Sequence, residues 1–131
     1  MSTIAREEKS FDSLRRKPLR AASNLLESVV TSKLERHAEQ LSALGHPTRL
    51  AIVRFLVQGG AEGTAAGEIQ THVDLPASTL SHHLKRLADA GLITSRSEGT
   101  FHYYRPEFST IRALTDYLWE DCCKRGQSKR C

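Results

Sequence analysis

Apolar residues recur at spacings of three and four along the first half of the chain. Leu26, Val30, Leu34, Ala38, Leu41 and Leu44 fall on one stripe, which predicts a long amphipathic helix ending near Gly45. Pro47 suits the first turn of a second helix, running to about Gln58 with Leu50, Val53, Leu56 and Val57 inward and stopped by Gly59-Gly60. Residues 61–64 read as a loop, and 65–72 as a short helix anchored by Ile69 and closed by Val73. Over 78–90, Leu80, Leu84 and Leu87 line one side at i, i+4 and i+7, and Gly91 ends the helix. At about 100° per residue, Ser78, Thr79, His82, Lys85, Arg86 and Asp89 take the opposite side.

A longer helix following a short one through a tight turn is the helix-turn-helix arrangement. After it, 92–96 and 100–104 are β-prone and flank Ser97-Glu98-Gly99, a hairpin tip with Gly where positive φ is useful. A last helix beyond Pro106 carries Ile111, Leu114 and Leu118 on a stripe that Cys122 continues. The expected fold is therefore mainly α with a small β-hairpin: a winged helix-turn-helix. The first and last helices are apolar enough to pack against a second copy, which makes it dimeric.

A chain of 131 residues holds one domain plus a short extension. With 39% hydrophobic and only 6% aromatic residues, its core must come from Leu, Ile, Val and Ala. No run of about 18 uncharged apolar residues occurs and the N-terminus has no signal-like apolar stretch, so a cytoplasmic location is expected. Three parts follow: a basic N-terminal arm over 1–22, the winged domain over 23–123 and a basic, cysteine-containing tail over 124–131. The net charge of +4 hides an uneven distribution, with +3 in residues 1–20, +4 in 124–131 and −3 between. Overall basicity is thus a weak argument for nucleic acid, and the arm reads as a solvated tail ahead of a DNA-backbone contact.

Position is the better argument. Short polar side chains near the start of a groove-sized helix reach base edges, and a cation further along meets phosphate; Ser78, Thr79, Ser81, His82 and Lys85 meet that demand. The alternative is an ordinary solvated helix face. The wing adds Arg96 at its base, and Gly99 lets the tip approach DNA closely. His82 and His83 point about 100° apart on a helix with no further ligand at suitable spacing, so they do not read as a metal pair. No phosphate loop, carboxylate pair or Ser/His/Asp set is present, so no enzyme is expected.

His46-Pro47-Thr48-Arg49-Leu50, the run Leu80-Ser81-His82-His83-Leu84-Lys85-Arg86-Leu87, Ala90-Gly91-Leu92-Ile93 and residues 99–105 together resemble the ArsR/SmtB family of dimeric winged-helix repressors. The resemblance spans roughly 34–124. It implies a homodimer built on the first and last helices, bound to an inverted-repeat operator in double-stranded DNA and released by an inducer. Carried onto this chain, it makes Ser78, Thr79, Ser81, His82 and Lys85 groove-facing and places the wing at 97–99. The family often has Ser where this chain has Pro76.

Inducer sites differ within the family. Residues 65–73 contain no cysteine and 110–122 no histidine, so two of its familiar metal arrangements are absent. Cys122-Cys123 with Cys131 resembles the C-terminal site of its arsenic-responsive members, which implies As(III) or Sb(III) on three thiolates and no organic cofactor. Lys124, Arg125, Lys129 and Arg130 favour the thiolate form there. Cys122 alone is better explained as core, since it continues the last helix's stripe. The same thiols also suit a redox or persulfide switch, and the fold can serve as a protein-interaction module without DNA.

Overall fold

The computed structural model describes residues 21–126, which fall in two compact units divided between Leu34 and Glu35. The order is α1 (Ala21–Leu44), α2 (Pro47–Gly59), β1 (Thr64–Ala65), α3 (Ala66–Val73), α4 (Ala77–Asp89), β2 (Ile93–Glu98), β3 (Phe101–Pro106) and α5 (Phe108–Trp119). The expected arm over 1–22 lies outside the described residues up to Ala21, where α1 begins, and Cys131 lies outside them as well.

In the first unit, Leu25, Leu26, Val29, Val30 and Leu34 of α1 are all exposed. In the second, α1 turns His37, Gln40 and Ala43 inward, not Ala38 and Leu41. The His37 ring stacks on Tyr117 of α5 with centroids 4.3 Å apart, and its Nδ1 lies 3.0 Å from Gln40 Oε1. Of the expected apolar stripe, Leu44 packs against the core while Ala38 and Leu41 stay exposed. A similar offset affects α2, which buries Ile52, Val53 and Leu56 while Leu50 and Val57 stay exposed. Its start agrees with the sequence: Pro47 opens the first turn and the His46 ring caps it, Nδ1 accepting from Thr48 N–H at 3.2 Å.

The core of the second unit gathers Ala43, Ile52, Val53, Leu56, Ile69, Leu80, Leu84, Leu87, Leu92, Ile93 and Leu114. Burying such a side chain contributes about 1.5–3 kcal/mol, so α3, whose only buried residue is Ile69, is held chiefly by its neighbours. Between α3 and α4 the chain turns at Asp74, which takes left-handed backbone (φ 52°) and closes α3 through its N–H to Gln70 O.

The sheet is antiparallel in the order β1-β3-β2. Residue 64, expected in a loop, instead starts a two-residue strand on β3, pairing with Tyr104. Glu98 pairs with Phe101, so the tip is Gly99-Thr100, and Ser97 and Glu98 belong to the strand. A two-residue hairpin needs positive φ at its first central position, and Gly99 (φ 59°) meets it without strain. No helix among the described residues is long and apolar enough to cross a membrane.

Candidate nucleic-acid interface

Helix α4 is seated by Leu80, Leu84 and Leu87, with His83 also buried. Ser78, Thr79, Ser81, His82 and Lys85 are left exposed over its first turns. The N-cap is Pro76 and no side chain caps the helix, so its first N–H groups are left for solvent or phosphate. Lys85 Nζ lies 3.0 Å from Asp89 Oδ2, both side chains well exposed. Exposed pairs of this kind contribute less than about 1 kcal/mol, so a phosphate can take the ammonium from Asp89.

Arg86 does not join that face. It is half-buried and turned to α1, with Nη1 3.5 Å from Glu39 Oε2 and Nη2 donating to Ser42 Oγ at 3.4 Å. It fastens α4 to α1.

In the wing, Arg96, Thr94 and Glu98 alternate on one face of β2 opposite Tyr103, Arg105 and Phe101 of β3. The Arg96 guanidinium lies 4.7 Å from the Tyr103 ring centroid, its Nε donates to Glu98 Oε1 at 3.2 Å, and its Nη1 donates to the Glu62 carbonyl. Gly63 sits beneath it: a Cβ there would stand 3.3 Å from Arg96 Nη1 and from the Tyr104 carbonyl, and its φ of 98° disfavours any side chain. Arg96 thus ties the hairpin to the turn before β1. At the tip Phe101 is exposed, beside Gly99.

A group that sequence reasoning passed over lies behind α4. Arg49 Nε donates to the Ala43 carbonyl at 2.6 Å, and its Nη1 is 3.4 Å from His83 Nδ1. The His46 and His83 ring centroids are 4.8 Å apart. Burial pushes the His83 imidazole below the ordinary histidine range, and the charges of His46, Arg49 and His82 act in the same direction. The available signal was an arginine on the inward line of α2, two residues after a helix-opening proline.

The cysteines stand apart from this surface. Helix α5 ends at Trp119, so Cys122 does not continue its stripe; Cys122 is exposed in the turns that follow, and Leu118 is exposed too. The reason is local: Glu120 leaves the helix and Asp121 takes φ 59°, which turns the chain away. Cys122 and Cys123 Sγ atoms are 3.3 Å apart. Among the described residues no group of three His, Cys, Asp or Glu side chains can hold a metal. Lys124 donates to Asp121 Oδ1 at 2.7 Å, which offsets its charge beside the thiols and holds its ammonium above the ordinary lysine value.

A helix-turn-helix domain model matches residues 44–96. The transcriptional regulator YgaV of Escherichia coli is 37% identical over 96 residues, covering 70% of this chain and 95% of that protein. The arsenical resistance operon repressor of Bacillus subtilis is 33% identical over 101 residues, covering 75% and 92%. Among solved structures, the homodimeric winged helix-turn-helix DNA-binding domain of a Mycobacterium bovis protein is 27% identical with a TM-score of 0.55, covering 76% of this chain and 93% of that one.

Proposed function

Since the chain belongs to the ArsR/SmtB family of winged helix-turn-helix transcriptional regulators, DNA-binding proteins and not enzymes, we propose that it is a homodimeric cytoplasmic repressor released from an inverted-repeat operator by As(III) or Sb(III). The observation that carries the DNA role is the outer face of α4, where Ser78, Thr79, Ser81, His82 and Lys85 are exposed together while the opposite face is core. The first four suit base edges and Lys85 suits phosphate. The wing contributes through Gly99 at its tip and Arg96 at its base, the latter exchanging its Glu98 contact for a phosphate. Uncovered apolar residues of α1 and, separately, Leu118 and Trp119 of α5 are available to a second copy. The homodimeric Mycobacterium bovis relative supports that assembly.

The inducer assignment rests on the adjacent thiols Cys122 and Cys123, with Cys131 as third donor, and on the arsenical resistance repressor among the relatives. Three soft sulfurs suit the trigonal preference of a trivalent metalloid. Binding at the end of α5 would alter the subunit angle and hence the spacing of the two α4 helices, which must meet both half-sites together.

A second reading uses the same thiols: two of them lose two electrons and two protons to a peroxide, or exchange with a persulfide, and the disulfide form leaves DNA. Fluorescence anisotropy of a labelled duplex from the protein's own promoter separates the two. Release by low micromolar arsenite under anaerobic, reducing conditions supports the metalloid sensor. Indifference to arsenite with collapse in peroxide or persulfide supports the redox switch. A duplex never bound overturns both.

A further inference from the structure

The buried group behind α4 has a protonation requirement that the DNA-reading role does not use. Arg49 and His83 face each other through Nη1 and Nδ1 at 3.4 Å, and a guanidinium has only donors to offer. His83 Nδ1 must therefore accept, which leaves the ring neutral with its proton on Nε2. The groups around that ring are cationic or can become so: His46 and Arg49 from α2, and His82 from α4 itself. On the α1 side stand the Ala43 carbonyl, already taken by Arg49 Nε, and Glu39 and Ser42, which hold Arg86. Among the described residues, no carboxylate pairs with His83 to receive a second ring proton's charge.

We propose that Arg49 and His83 are positioning residues for operator binding, the neutral His83 ring fixing α4 through Arg49 to α2 and to the end of α1, and that protonation of His83 releases this fastening and weakens DNA binding. An imidazolium at Nδ1 removes the acceptor and sets two cations against each other in a buried site, where repulsion is screened far less than at the surface. Helix α4 then shifts or loosens, and side chains placed for base edges miss them. The depressed basicity of His83 agrees in sign. The neutral form belongs to the native, reading-competent packing, so a falling pH must first overcome that preference.

The other histidines near the interface, His82 on the outer face, His102 in the wing and His46 behind α4, are common to the wild type and the variant compared below, so the ratio of the two affinities reports on His83. The inference rests on α4 being the DNA-reading helix, and the test distinguishes failure of the two.

The experiment compares the full-length protein with His83→Gln, whose amide oxygen can accept from Arg49 but does not titrate. Both bind a labelled promoter duplex at constant salt between about pH 7.5 and about pH 5. The expected result is binding by both at the upper end. As pH falls, the wild type loses affinity relative to the variant by up to about tenfold per pH unit per protomer, because binding expels one proton from each. A constant ratio across the range overturns the proposal while leaving DNA reading intact; no binding by the wild type at any pH overturns both. A second measurement is independent of the variant's folding. In the DNA-free wild type, ring ¹⁵N shifts of His83 should show the Nε2–H tautomer at about pH 7.5, and an Nδ1–H or doubly protonated ring there overturns the proposal.

Discussion

Lys85 and Arg86 are adjacent in sequence and differ in exposure and partners: the first reaches Asp89 at the surface, the second is half-buried against Glu39 and Ser42 of α1. Lys85→Ala should weaken operator binding by roughly three- to tenfold and make the salt dependence shallower by about one phosphate per protomer, read from affinities over a salt series. Helical periodicity put both cations on the outer side. It could not distinguish them, because Arg86 lies at the border of that side, where a long side chain bends to whichever partner the neighbouring helix offers. The cysteines were legible as a pair, but not their setting. Cys122 leaves the α5 stripe because the helix stops at Trp119. Cys123→Ser should bind DNA as the wild type does and fail to dissociate when arsenite is added, measured by anisotropy under reducing conditions. Normal dissociation of that variant would remove Cys123 from the inducer site.

At the scale of elements, α4 was the most legible, since three leucines at helical spacing bury one side and polar residues cover the other. Leu87 is completely buried at the C-terminal end of that seam. Leu87→Ala should cost about 2–5 kcal/mol, seen as a lower urea midpoint with little change in slope. Strand β1 was not legible: two residues carry no periodicity, and Thr64 and Ala65 form a strand only because β3 is there to pair with them. The inward face of α2 was misjudged by about one residue, and the face α1 turns to the core lies one residue from its apolar stripe. His37, Gln40 and Arg49 point inward at positions where an apolar pattern expects hydrocarbon, and each is accommodated by a hydrogen bond found only across the fold or one turn away.

For the whole molecule, Leu26, Val30, Leu34 and Leu41 of the α1 stripe are exposed, as are Leu118 and Trp119 of α5, and a second copy is the proposed cover. Leu118→Asp should shift the protein from dimer to monomer in sedimentation and abolish cooperative binding to a two-half-site duplex, since burying an unpaired carboxylate costs several kcal/mol. The sequence by itself determined the winged helix-turn-helix class, the order and approximate ends of the helices, the hairpin and the face α4 turns outward. These depend on local periods, caps and turn residues, which act within a few positions along the chain. Only the tertiary structure decided which apolar stripe meets the core, that Arg86 and Arg96 fasten elements together, and that His83 accepts from Arg49. Those outcomes join residues 34 or more positions apart in the Arg49–His83 and Arg96–Glu62 contacts. A hydrogen bond or ion pair over that separation exists only once the intervening helices have packed.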